Sequence, residues 1–197
     1  MPEDSLLYNN RGMKLWIIQT APAWEKAQQT GILKGDGRRV DRFYKPSYEW
    51  LMGQMRERVP QYKGGYPIWA YASDKPDLRR RQFTRGTPGV RLEFVAEADE
   101  VLISDFDAWH MVLNGIYCAL TEQEDEEFYK NNGSYSMWFH GNKDPKKVAQ
   151  ITKSWERIFD VEALAATPEW EGSQTLQATL GQITLDQVVQ VTPFISR

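Results

Sequence analysis

The sequence predicts an α+β fold: one domain with a mixed or antiparallel sheet and flanking helices. Three observations carry that expectation. Short runs rich in β-branched and aromatic residues alternate with stretches of helical apolar spacing. No internal repeat and no long linker interrupts the 197 residues. Apolar residues make up 41% and charged residues 26%, which is enough to bury one sizeable core.

Residues 1–12, "MPEDSLLYNNRG", are polar and read as an N-terminal extension, with the domain spanning 13–197. "KLWIIQ" is expected to be a buried strand. "TAPAWEKAQQTG" follows as a helix with Thr20 at its N-cap, Pro22 in its first turn and Gly31 at its stop. "ILKGDGRRVD" gives a short strand and a basic turn. "PSYEWLMGQMRERVP" reads as an amphipathic helix, with Trp50, Leu51, Met55 and Val59 near helical spacing. "YPIWAYAS" is a strand, and "DKPDLRRRQFTRGTPG" is a loop holding Arg79, Arg80, Arg81 and Arg85.

"VRLEFVAEADEVLISDF" supplies two strands, the first alternating Val90, Leu92 and Phe94 with Arg91 and Glu93. "AWHMVLNGIYCAL" is expected to be a helix capped by Asp107, with Asp105 as a turn residue outside it. "TEQEDEEFYKNNGS" reads as an acidic loop and "DPKKVAQITKSWERIFD" as a helix. The tail "TLQATLGQITLDQVVQV" reads as one or two strands.

Net charge is −3, so no whole-molecule attraction to nucleic acid is indicated. A lone cysteine, Cys118, excludes a disulfide framework and a cysteine-based zinc site, and points to a reducing compartment. No apolar run is long enough to span a bilayer and no signal-peptide pattern opens the chain, so a cytoplasmic protein without membrane attachment is expected. Eight Trp, nine Tyr and eight Phe supply core volume and flat surfaces for stacking a base.

The glycine-rich nucleotide motifs, the helical zinc-protease motif and the nucleophile elbow are all absent. Two histidines, His110 and His140, are too few for a multi-histidine metal site. Asp105, Asp107 and Glu93 form a possible hard-cation set, and Asp105, Asp107 and His110 define a metal-dependent phosphodiesterase or nuclease reading. The competing reading makes the aspartates cap and turn residues, and no metal ligands are assigned. The arginine loop is the strongest anion-recognition candidate. A third reading is a non-catalytic interaction protein that uses exposed aromatics.

"MKLWIIQT…AWEKAQQTGIL", "YPIWAY", "DLRR", "VLISDFDAWHMVLN" and "LQATLGQI" resemble an uncharacterised bacterial domain family of about this length, over nearly all of residues 13–194. The strand–polar–helix–Gly–strand opening at 14–33 is also similar to the ADP-ribosyltransferase fold, especially toxins that modify nucleic acid. That resemblance implies an enzyme with NAD as substrate, a nucleic-acid acceptor, a toxin or phage-defence role, and a protein antitoxin as partner. It places Gln19 and Thr20 at the NAD ribose, Tyr48 or Trp69 on the nicotinamide and Arg79 at the pyrophosphate. Gln177 and Asp105, with His110 nearby, fall at the reacting bond. The chain departs from the family in its tail: Gln177, Ala178 and Thr179 stand where a catalytic glutamate is expected. Either another carboxylate, Asp105 or Glu93, takes its place, or transfer is weak or lost.

Overall fold

The computed structural model describes residues 8–9, 12–137, 144–170 and 175–197. Most of the expected N-terminal extension, and His140, lie outside the described residues. The chain runs through two compact units: one built from Met1–Arg39, Leu51–Ile103 and Gln177–Arg197, the other from Val40–Trp50 and Ser104–Leu176.

The elements are β1 (Tyr8–Asn9), β2 (Gly12–Thr20), α1 (Ala21–Thr30), β3 (Ile32–Lys34), α2 (Lys45–Arg58), β4 (Ile68–Tyr71), β5 (Pro88–Ala96) and β6 (Leu102–Asp105), followed by α3 (Phe106–Asn114), α4 (Glu122–Asn132), α5 (Pro145–Ser154) and α6 (Val161–Ala165). The chain ends with β7 (Leu176–Leu180), β8 (Gln182–Thr184) and β9 (Val188–Ile195). The α+β expectation holds, and the sheet is mostly antiparallel. Its order is β6-β7-β4-β2-β5-β9, with β1 added on β2, while β3 and β8 form a separate ribbon. The tail therefore holds three strands where the sequence suggested one or two.

β2 is not buried on both sides, as its apolar run suggested. Met13, Leu15 and Ile17 are buried, while Lys14, Trp16 and Ile18 between them are half-buried. This period of two is what a sheet with one packed face imposes. β5 repeats the pattern with Val90, Leu92, Phe94 and Ala96 buried, and β4 does so with Ile68 and Ala70. Leu51 and Met55 of α2, with Val59 just beyond it, are also buried. Each fully buried side chain of the size of Leu15 or Phe94 contributes about 1.5–3 kcal/mol. Gly31 stops α1 with a left-handed φ of 80°, and its N–H donates to the Ala27 carbonyl. A side chain at that φ would be strained, hence the glycine.

The second unit is helical, and its helix starts depend on short polar side chains. Asp105, not Asp107, caps α3: its carboxylate accepts from the Ala108 N–H at 2.8 Å. The helix begins at Phe106, two residues earlier than expected, and ends at Gly115 with φ 64°. The acidic stretch read as a loop is helix α4. Thr121 accepts from the Glu124 N–H, and Glu122, Glu124 and Asp125 fill the first turn. Acidic residues are stabilising at that end because the helix dipole is positive there. Trp109, Val112, Phe128, Ile151, Trp155, Ile158 and Leu164 form the buried core of this unit. Trp155 lies edge-on to Trp50 with ring centres 5.3 Å apart and donates its indole N–H to the Ile116 carbonyl at 2.7 Å.

Candidate functional site

Strand register decides which side chains share a face. Gln177 of β7 pairs with Tyr71 of β4, Tyr71 with Trp16 of β2, and Trp16 with Glu93 of β5. Directly paired residues point to the same side, so these four form one row across four strands. Three strand spacings put Gln177 and Glu93 about 14 Å apart along it. The same side carries Lys14, Ile18, Thr20, Trp69, Arg91 and Thr179, whereas Leu15, Ile17, Leu92 and Phe94 fill the packed side.

Glu93 organises this open face. Trp16 donates its indole N–H to Oε2 at 3.1 Å, Lys14 approaches Oε1 at 3.1 Å, and Lys75 approaches Oε2 at 3.6 Å. Burial of the Glu93 side chain opposes ionisation, but the bonds from Trp16 and Lys14 and the charges of Lys14 and Lys75 outweigh it. Its carboxyl is held below the usual 4.5. Lys75 follows β4, and its neighbour Pro76 accepts from Arg91 at 2.8 Å. Both contacts land on β5, on the far side of β2 from β4. Residues 72–78 therefore form a strap across β2 on the Trp16 side, in which Pro76 is buried.

Of the residues singled out from sequence, this side of the sheet gathers half-buried Thr20 and Trp69 with Gln177, which is buried. Gln19 does not join them. It pairs with buried Val90 and keeps phase with Leu15 and Ile17, so it points to the other side. Gln19 and Gln177 therefore lie on opposite sides of the sheet. Arg79 is exposed and forked onto Asp77, with Nε at 3.0 Å from Oδ1 and an NH2 contact of 3.0 Å to Oδ2. That fork, chiefly through the side-chain bonds, lowers the Asp77 carboxyl to about 2. Tyr48, Asp105 and His110 belong to the helical unit. Tyr48 meets Trp109 edge-on at 5.8 Å, and His110 Nδ1 sits 2.9 Å from the Phe106 carbonyl.

Asp107 is exposed, and among the described residues no group of three or more His, Cys, Asp or Glu is placed to hold a metal ion. The hard-cation set is thus not assembled. Cys118 is buried, and burial pushes its thiol up to about 12, which disfavours the thiolate.

Sequence reasoning missed Trp16, Lys14 and Lys75. The local signal was Lys14 inside an otherwise apolar run, which marks a half-exposed strand. The reach of Lys75 to Glu93 has no local signal, because it depends on the path of the strap.

The helical unit holds a second carboxylate network. Glu124 accepts from the Tyr117 hydroxyl at 2.6 Å, the Leu120 N–H at 2.8 Å and the Arg157 fork at 2.9 and 2.7 Å. Arg157 also donates to the Cys118 carbonyl at 2.7 Å. A groove of about 990 Å³ lies alongside, lined by these side chains together with Asn131, Gln150 and Lys153.

The molecule thus defines an α+β protein with an antiparallel sheet whose open face is aromatic and cationic. Residues 14–189 match the family model described as Domain of unknown function (DUF3841), and the chain belongs to that family. No curated protein matches it significantly in sequence. Among the described residues no helix is long and apolar enough to cross a membrane.

Proposed function

We propose that this protein is an NAD-binding, ADP-ribosyltransferase-like enzyme whose nucleotide lies along the open sheet face, not against Gln19. The observation that carries the reading is the row Gln177–Tyr71–Trp16–Glu93, which puts two rings, an amide and an ionised carboxylate on one side of the sheet, with Tyr71 exposed, Trp16 and Glu93 half-buried and Gln177 buried. Thr20 and Trp69 share that surface and keep their expected roles at the ribose and the nicotinamide. The arrangement of β2, Thr20, α1, Gly31 and β3 accords with the strand–helix–strand opening of the transferase fold.

Glu93 takes the place of the carboxylate that β7 lacks, because Asp105 is spent on the cap of α3. In transfer, the bond between the nicotinamide nitrogen and the ribose carbon breaks, and its electron pair leaves with neutral nicotinamide. The acceptor nucleophile bonds to that carbon and releases a proton. An anion near the ribose stabilises the positive charge that develops. Lys14 and Lys75 offset much of the charge on Glu93, so strong binding with slow transfer is the expected balance. The acceptor is a nucleic-acid base, and a toxin or phage-defence role held in check by a protein antitoxin completes the proposal.

Titrating NAD while following tryptophan fluorescence, with nicotinamide release measured in parallel, tests this reading. A saturable change and nicotinamide release that disappears in Glu93→Gln support it; flat traces across millimolar NAD overturn it.

An interaction role is favoured by one separate observation. Among the described residues β9 is an edge strand, with Val189 58% and Ile195 60% exposed and its outer side open to another strand. Unchanged recovery of a bound partner with Val189→Lys and Ile195→Lys together would remove that reading.

A further inference from the structure

We propose that the face around Glu93 seats a nucleoside diphosphate, with Lys14 and Lys75 on the phosphates and Tyr71 beside Trp16 under the base. The inference shares its surface with the NAD reading above but does not need NAD: any nucleotide with adjacent phosphates satisfies it.

Both lysines are anchored yet unsaturated. An ammonium carries three donors, and among the described residues each ammonium is paired with Glu93 alone. The Lys75 contact, at 3.6 Å, is longer than a hydrogen bond and is the weaker of the two. The lysine side chains are 40% and 43% exposed, while Glu93 beneath them is 14% exposed. A carboxylate placed below two ammonium groups aims them outward when no ligand is bound, which reduces the ordering cost of binding.

The charge balance favours an anion by one. Lys14, Lys75 and Arg91 stand against Glu93 and the strap's exposed Asp74, while Asp77 of the strap is offset by its fork with Arg79. An aromatic surface adjoins the cations: Tyr71 is 41% exposed and pairs directly with Trp16. Stacking beside a pair of phosphate donors fits a base linked to a diphosphate better than either fragment alone. The strap adds a wall through buried Pro76, which limits the seat to a small ligand instead of a long strand.

Calorimetry on the full chain with ADP, pyrophosphate, adenosine, NAD and a single-stranded oligonucleotide tests the assignment. ADP is expected to bind more tightly than pyrophosphate or adenosine, and about tenfold more weakly in Lys14→Ala or Lys75→Ala. Tyr71→Ala weakens ADP but leaves pyrophosphate unchanged. Unfolding curves of each variant establish that it remains folded. No ADP binding, unchanged affinity in both lysine variants, or an oligonucleotide that outcompetes ADP would each overturn the proposal. Lysine-dependent ADP binding without NAD binding removes the NAD reading and keeps this one, and NAD turnover indifferent to both lysines does the reverse.

Discussion

Glu93 in the sheet unit and Glu124 in the helical unit are both part-buried carboxylates with aromatic and cationic partners, and they are used differently. Glu124 accepts from a bidentate guanidinium, a phenol and a backbone N–H, and Arg157 also donates to the Cys118 carbonyl. Glu93 holds two flexible lysines by single contacts, one of them long. A carboxylate held by a guanidinium fork and two further donors rigidifies a fold, whereas flexible ammonium groups held by single contacts are free to turn to a ligand. Tyr117 also stacks on Phe128 at 4.2 Å, which fixes the helical network further. The two sites therefore separate by what a mutation costs: stability in the helical unit, affinity in the sheet unit.

The largest effect is expected at Arg157. Arg157→Lys cannot reproduce the fork on Glu124 and leaves the Cys118 carbonyl short of a donor, a loss of about 1.5–3 kcal/mol measurable by urea unfolding. A cost near zero would move Glu124 into the same class as Glu93. Next comes Asp105→Ala, which uncaps α3 at a buried position and is expected to cost about 1–2 kcal/mol, while Asp105→Asn keeps most of the cap. Equal losses in the two variants would show that the charge of Asp105 matters beyond its cap.

These residues also show what was legible in the sequence. The start of α1 follows from Pro22 and its stop from Gly31, while Thr20 stands at the N-cap without a side-chain cap bond; the packed side of α2 follows from Leu51, Met55 and Val59, because their signals are local. The α3 cap was misplaced because Asp105 and Asp107 are equally good caps, and the choice depends on where β6 ends. α4 was missed although Thr121 and Glu124 have the spacing of a capped helix start, since the acidic run was read only as solvated charge. At the site, the orientation of Gln19 was legible from its even spacing to Leu15 and Ile17. The convergence of Lys75 on Glu93 was not, because strand order and strap path are long-range outcomes of packing.

Glu93→Gln tests the sheet side of the comparison. Its contacts are partly solvated, so a loss below about 1 kcal/mol is expected at neutral pH. The sign with pH follows from linkage. Both Glu93 and Glu124 are held below the usual 4.5, so each contributes stability above that value and loses it as pH falls through the folded value. The difference between wild type and Glu93→Gln should therefore shrink on acidification below the ordinary glutamate range. High salt at neutral pH should shrink it too, because exposed lysines are screened. A difference that grows in acid would mean that the folded state favours the protonated carboxyl, which contradicts the ionised role given to Glu93.

The smallest effect is expected at Arg79, the residue that the transferase resemblance placed at the pyrophosphate. Its guanidinium is forked onto Asp77 two residues away, in an exposed turn that the pair closes locally. Exposed pairs of this kind contribute little, because water and salt replace them readily. Arg79→Ala should leave both the urea midpoint and the ADP affinity unchanged within error, while Lys75→Ala, four residues earlier, weakens ADP. Loss of ADP binding in Arg79→Ala would move the phosphate seat from the Glu93 face to the arginine loop, and the contrast between a carboxylate held by a fork and one held by single lysine contacts would no longer locate the site.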